Sequence, residues 1–285
     1  MSAQVQKLAP GLYFVATPIG TARDITLRAL DILASADLIA AEDTRTTRKL
    51  MGIHGISLGR RRLIAYHDHN GAHVRPRLIK ALSEGKSVAY ASEAGTPLIA
   101  DPGYVLAREA IAAGITITSA PGPSAVIAAL SIAGLPTDRF HFAGFAPTSR
   151  SARRKYLAEL AAVPATLIIF ESAKRVHKTL ADMVLELGAG RQAALCRELT
   201  KKFEEVLRGT LEELCQQIGD RKLKGEIVVL VDRGREVASD EDLEDALKIA
   251  LRDRSVKDAA SFVAEQLRLS RRRVYQAALR LGKDK

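Results

Sequence analysis

The chain has 285 residues, 47% of them apolar and 27% charged, and its 43 Lys and Arg outnumber 33 Asp and Glu for a net charge of +10. This length accommodates two domains or two plus a small third, and no apolar stretch is long enough to span a bilayer. Two cysteines, Cys196 and Cys215, exclude a disulfide framework and are ill-spaced for zinc, and the polar Met1 to Lys7 stretch has no signal-peptide pattern. A protein of a reducing cytoplasm, away from membranes, is expected. The positive charge fits either a polyanionic partner such as nucleic acid or a generally basic enzyme.

Short apolar runs at Leu12 to Ala16, Leu38 to Ala41, Leu63 to Tyr66, Val88 to Ala91 and Ile115 to Ile117 predict buried strands of a mostly parallel sheet. Helices are expected between them at Thr26 to Ser35, with Thr26 as N-cap, and at Val74 to Glu84 and Tyr104 to Ala113. A strongly apolar helix, Ser124 to Ala133, leaves a Pro-Gly-Pro loop. A second set follows: strands at Thr166 to Phe170, Ala193 to Cys196, Glu205 to Gly209 and Glu226 to Val231, with a helix at Lys174 to Glu186. After Asp232 the composition turns polar, and Arg233 to Asp242 reads as a linker. Ser255 then opens a helix with Asp258 in the manner of a capping box, over the apolar stripe Val256, Ala259, Ala260, Val263 and Leu267. Ser270 caps a further helix whose first turn carries Arg271, Arg272 and Arg273. This tail is either a helix-turn-helix-like module or a helical cap. The fold class is α/β, with domains expected at residues 1–120 and 121–235 and an all-helical one at 236–285.

Each of the first five strands runs directly into a loop rich in Gly, Pro or charge. These are Thr17-Pro18-Ile19-Gly20, Ala41-Glu42-Asp43-Thr44-Arg45, His67-Asp68-His69-Asn70, Ser92-Glu93-Ala94-Gly95-Thr96-Pro97 and Pro121-Gly122-Pro123-Ser124-Ala125. In a parallel sheet such loops leave the carboxyl ends of the strands and converge on one edge, where ligands bind. Gly95 lets backbone approach a ligand, Pro97 and Pro102 stiffen the loop, and Ser124-Ala125 turns the amides of a helix N-terminus toward the same edge. There is no G-x-G-x-x-G after the first strand and no Walker, zincin or kinase motif. His67, Asp68 and His69 have no further His or Cys cluster to complete a metal site, so no metal is expected and a hydrogen-bonding role with Asn70 is preferred. Glu42, Asp43 and Arg45 are either substrate chemistry or an ion pair, and the same choice holds for Glu171 with Arg175 and Glu198 with Lys201.

These loops, with Asp101-Pro102-Gly103 and Arg197-Glu198-Leu199-Thr200-Lys201, resemble the ribosomal RNA small subunit methyltransferase I family of the tetrapyrrole methylase superfamily, from about Leu12 to Lys285. The resemblance implies two α/β domains with an S-adenosylmethionine cleft between them, a small helical C-terminal domain, and a homodimer. It implies 2′-O-methylation of a cytidine ribose in the decoding region of 16S rRNA, within the small ribosomal subunit. By motif the cofactor meets Pro18, Glu93, Gly95, Thr96, Pro97, Leu98, Ser124 and Ala125, and by position Phe170, Leu199 and Gly225. RNA contacts fall to Arg45, Arg175, Arg271, Arg272 and Arg273. The chain departs from the family pattern in having Glu93 for the usual Asp, and Ala173-Lys174 for the usual Pro-His before Arg175.

A ribose hydroxyl is a poor nucleophile and needs a group to take its proton. Glu42, Asp43, His69 and Lys201 are the expected acceptors, His69 first because its ordinary pKa is about 6.5. Other functions compatible with the sequence are a precorrin or sirohaem-type methyltransferase and a non-catalytic helix-turn-helix regulator. The basic tail argues against the former and the five ligand loops against the latter.

Overall fold

The computed structural model describes residues 3–67, 69–234, 240–267 and 271–281, and for Asp240, Glu241 and Arg273 the backbone alone. Asp68, the Ser270 cap and half of the expected linker lie outside the described residues. No described helix is long and apolar enough to cross a membrane.

Strands β1 (Gly11–Val15), β2 (Leu38–Ala41), β3 (Arg62–Ala65), β4 (Ser87–Ala91) and β5 (Ile117–Ala120) form a parallel sheet in the order β3-β2-β4-β1-β5. Every residue of β1, β2 and β4 is buried, as apolar runs in a sheet covered on both faces must be. Alternate side chains serve opposite cores. Leu12, Phe14, Val88 and Tyr90 pack under α3 (Gly71–Ser83) and α4 (Tyr104–Ala112). Tyr13, Val15, Ala89 and Ala91 pack under α1 (Leu27–Ser35) and α2 (Thr44–Ile53). Thr26 caps α1 by accepting from the Ala29 amide at 3.2 Å.

The second sheet, β6 (Phe140–Phe145), β7 (Thr166–Ser172), β8 (Gln192–Arg197), β9 (Glu205–Thr210) and β10 (Glu226–Val231), has the order β6-β7-β10-β8-β9. Only β6 and β7 are parallel, and the other pairs are antiparallel. One face carries α6 (Arg150–Ala161), α7 (Val176–Leu187) and α8 (Leu211–Ile218). The other carries α5 (Ala125–Ala133), through Val126, Ala129, Leu130 and Ala133. The chain thus changes sheets between β5 and α5. Residues through Arg233 nevertheless cluster as one unit and those from Gly234 as another.

Four elements escaped the sequence expectation. The polar α2 and α6 carry few apolar residues, α8 is a single short amphipathic piece, and β6 is an edge strand with exposed Phe140 and Phe145. Strand β5 runs Ile117–Ala120, not Ile115 to Ile117, and takes Thr118 and Ser119 into the partly covered edge of the sheet.

In the second unit, α9 (Asp240–Ala250), α10 (Val256–Gln266) and α11 (Arg271–Leu281) enclose a core of Leu243, Leu247, Ala259, Val263, Val274 and Ala278. Ser255 accepts from the Asp258 amide at 3.2 Å and donates its hydroxyl to the Asp258 carboxylate at 2.6 Å, so the cap closes through side chains.

Candidate active site

The carboxyl ends of the five parallel strands share one edge, and there the loops knit together. Thr17 and Gly95 exchange two backbone hydrogen bonds of 2.9 Å. The Ser92 hydroxyl donates to the Gly95 carbonyl at 2.6 Å, and the Thr96 hydroxyl to the Pro123 carbonyl at 2.9 Å. Gly95 holds this position at φ +82°, where a Cβ would strain the turn. From the second sheet's side comes the loop after β8. A Cβ on Gly20 would lie 2.5 Å from Thr200 Oγ1 and 2.9 Å from the Leu199 carbonyl. Thr21 seals the junction, its amide donating to Thr200 Oγ1 at 3.1 Å and its hydroxyl to the Thr200 carbonyl at 2.5 Å.

Between these loops lies a cavity of about 580 Å³, within the range of small-molecule sites. Pro18, Glu93, Gly95, Thr96, Ser124, Ala125, Phe170 and Gly225, all expected cofactor contacts, line it. Pro97, Leu98 and Leu199 do not. Pro97 is buried within its loop, Leu98 joins the first core at φ 71°, and Leu199 joins the core under α5. Of the expected proton acceptors, Glu42 and Lys201 line the cavity. Asp43 is instead the N-cap of α2, accepting from the Arg45 amide at 2.7 Å and the Thr46 amide at 3.3 Å. His69 is exposed in the turn before α3, its ring edge-on to His67 at 5.9 Å and away from the cavity lining. Asn70 pins that turn by accepting from the His67 amide at 2.9 Å and donating to the Ala65 carbonyl at 3.0 Å.

The expected RNA contacts separate in the same way. Arg45 is exposed and paired with Asp43 at 3.2 Å. Arg175 is committed to buried Glu171 at 2.8 Å and to the Ala146 carbonyl, while Thr179 donates to Glu171 at 2.6 Å. Arg271 and Arg272, with Lys257 and Tyr275, line a notch of about 380 Å³ in the C-terminal unit. The Arg273 side chain lies outside the described residues.

Charge in the cavity is one-sided. Glu42, Glu93, Asp101 and Glu226 face a single lysine, Lys201, while a fifth lining carboxylate, Glu171, is paired with Arg175. Burial, then the carboxylates of Glu42, Asp43 and Glu226, push Glu93 up, with only Arg45 in opposition. Burial, reinforced by Glu42, Glu93 and Glu226, pushes Asp101 up to about 7. Burial opposes the charge on Lys201, but its hydrogen bonds to Glu198 and Glu226, both 2.9 Å, outweigh that and raise it. Sequence reading took Asp101 only as part of a stiff turn and passed over Glu226. The one available signal was an acid immediately preceding a Pro-Gly pair at a strand-end loop. Among the described residues no three His, Cys, Asp or Glu side chains gather as a metal site.

The tetrapyrrole (corrin/porphyrin) methylase model matches residues 11–215, and the RsmI C-terminal HTH domain model matches residues 237–282. Solved structures agree in fold. Cobalt precorrin-4 methyltransferase gives a TM-score of 0.59 at 18% identity, over 78% of this chain and 94% of that one. Diphthine synthase gives 0.60 at 18%, over 78% and 89%. The fold is therefore that of a tetrapyrrole methylase.

Curated relatives are more specific. The ribosomal RNA small subunit methyltransferase I of Mesorhizobium japonicum is 48% identical over 96% of this chain and 93% of its own. Its counterpart in Vibrio cholerae is 45% identical over 95% of each. The chain belongs to the ribosomal RNA small subunit methyltransferase I family.

Proposed function

We propose that this protein transfers a methyl group from S-adenosylmethionine to the ribose 2′-hydroxyl of a cytidine in the decoding region of 16S rRNA, acting in the cytoplasm as a homodimer on the small ribosomal subunit. The observation that carries the reading is the charge of the cleft in a member of this family. The excess of carboxylates over the one lysine of the lining attracts a cationic sulfonium and repels a free polyanion. Phe170, with Phe145 edge-on at 5.5 Å, offers an apolar wall to an aromatic base. The first amides of α5, at Ser124 and Ala125, offer a partial positive charge to a carboxylate.

When bound, S-adenosylmethionine supplies a methyl carbon already activated by its sulfonium. The protein's remaining task is alignment of that carbon with the hydroxyl, and positioning of this kind is worth about 7–11 kcal/mol. The bonded loops at Thr17, Gly95 and Thr96 give the cleft the necessary stiffness. The basic notch at Lys257, Arg271, Arg272 and Tyr275 is suited to RNA phosphates and an unstacked base.

Nucleoside mass spectrometry of 16S rRNA from cells lacking this protein, and from complemented cells, tests the reading. One 2′-O-methylcytidine should vanish and return. An unchanged profile, or methylation of a tetrapyrrole acceptor by the purified protein, would overturn it. Arg271→Ala with Arg272→Ala should lower the log–log salt slope of RNA binding by roughly one to two, with donor affinity unchanged. Light scattering at twice the chain mass is the expected dimer result.

A further inference from the structure

Charge is spread unevenly along the chain. Thr44 to Ser83 carries nine Lys and Arg against one acid, Asp68, and so holds eight of the ten net positive charges. These residues build α2, β3 and α3, which form one flank of the first sheet. There β3 is the edge strand beside β2, with α2 packed on one face and α3 on the other. Helical spacing gathers the cations on the outside. Arg45, Arg48 and Lys49 share the exposed face of α2, opposite buried Leu50 and Met51. His73, Arg77 and Lys80 share the exposed face of α3, opposite buried Leu78 and Leu82. Arg60 and Arg62 stand exposed at the entry to β3.

Some basic groups of this flank have structural duties. Arg61 donates to the Leu33 carbonyl at 2.6 Å and the Ser57 carbonyl at 2.6 Å, tying the loop before β3 to the end of α1. Arg75 is held by Glu109 at 2.6 Å, and Arg45 by Asp43 at 3.2 Å. Arg48, Lys49, Arg60, Arg62, Arg77 and Lys80, in contrast, have no ion-pair partner among the described residues. Both exposed arginines of α6 do have one, Arg150 with Asp182 at 3.4 Å and Arg154 with Glu186 at 2.5 Å. Charge confined to β3 would be explained as protection of an edge strand. Here it continues over the outer faces of two helices, which have no edge to protect, and like charges left together oppose the compact state.

We propose that this flank carries the phosphate backbone of the rRNA beyond the target nucleotide. The proposal rests on the rRNA reading given above. The carboxylates of the cleft repel a polyanion, so the substrate must be gripped outside it. Both α2 and α3 start at the carboxyl edge of the sheet, where the cleft opens, and Thr46 in the first turn of α2 is part of its lining. A helix of ten residues reaches about 15 Å. The cations therefore form a track leading away from the point of transfer. Exposed Lys and Arg of this kind answer to phosphate charge and not to base edges, so the track holds RNA of any sequence.

The experiment measures binding of the full-length protein to small subunits from cells lacking it, and to protein-free 16S rRNA, between about 0.05 and 0.5 M salt. A variant combining Arg48→Gln, Lys49→Gln, Arg62→Gln and Arg77→Gln should lower the log–log salt slope by roughly three on both RNAs. Affinity near 0.1 M salt should fall roughly 100-fold, and the loss should shrink as salt rises. Calorimetry should find S-adenosylmethionine affinity within about threefold of wild type. Arg48→Lys, Arg62→Lys and Arg77→Lys together should keep the wild-type slope, since charge alone is read. An unchanged slope in the glutamine variant, or lysine variants as weak as glutamine ones, would overturn the proposal. So would lost donor binding, which would make these residues structural. A slope altered on intact subunits alone would assign the flank to an acidic protein instead. If wild-type protein binds the rRNA through this flank yet forms no 2′-O-methylcytidine, the ribose-methylation reading fails and the binding surface stands.

Discussion

The two sheets use acidic residues in opposite ways. In the second, nearly every buried or half-buried carboxylate has a cation beside it. Asp182 meets Arg153 at 2.7 Å with both groups almost wholly buried, and Glu171 meets Arg175 at 2.8 Å. Glu205 is drawn down by Arg221 and Arg197 against the opposing effect of burial, and Glu198 is drawn down by its hydrogen bond to Lys201. At the edge of the first sheet, Glu93 and Asp101 are both pushed up, by burial and by the carboxylates of Glu42 and Glu226. Carboxylates that are paired hold a scaffold, whereas carboxylates left facing each other in a cleft are a cost that folding alone does not explain. The contrast locates function in the first sheet's loops and structural duty in the second sheet's arginines.

The sharpest way to break this contrast is to remove a paired acid. Asp182→Ala strands Arg153 in a buried site, where its remaining bonds run only to the Thr148 and Pro147 carbonyls at 3.1 and 3.4 Å. Loss of one partner from such a pair costs about 3–5 kcal/mol, which denaturant melts will show directly. A small change in melting midpoint would mean that the second sheet's pairs are incidental. Next in size is Gly20→Ala, at the junction between the sheets. Its Cβ would press the Leu199 carbonyl at 2.9 Å and a Thr200 hydroxyl already fixed by Thr21. Overpacking of this kind costs roughly 1–3 kcal/mol, and S-adenosylmethionine affinity should fall about tenfold as the cleft wall shifts.

Much of the first sheet was legible because parallel strands are buried on both faces and so write continuous apolar runs, as Leu38–Ala41 does. Four of the second sheet's five strands were legible, β6 excepted, but not as a mixed sheet, since strand direction leaves no trace in such runs. Helix α2 was hidden by its composition, TRTTRKLMGI, and without it Asp43 could be read only as part of a charged cluster, reactive or ion-paired, and not as the cap of a helix. His69 drew attention by type and spacing alone, yet it faces outward from a turn that Asn70 fastens. Lining residues such as Pro18, Gly95 and Ser124 were found through loop chemistry. The importance of Asp101 depends on burial, on three facing carboxylates and on an unpartnered oxygen, all of which arise only when distant segments meet.

The smallest expected effect has the opposite sign and separates the two kinds of acid most cleanly. The Asp101 carboxyl ordinarily titrates near 3.8 and in the folded protein near 7. The folded state therefore holds the proton more tightly than the unfolded chain, and ionisation works against folding as pH rises from about 3.8 through 7. Asn in that place cannot ionise. Asp101→Asn should thus melt like wild type at pH 4 and gain stability progressively to pH 8, by roughly 2–4 °C once solvent screening is allowed for. Asp182→Ala should lose stability at both pH values. A destabilised Asp101→Asn at pH 8 would show that this carboxylate, like Asp182, is held by a favourable partner, and the distinction between the two sheets would fail at its most exposed point.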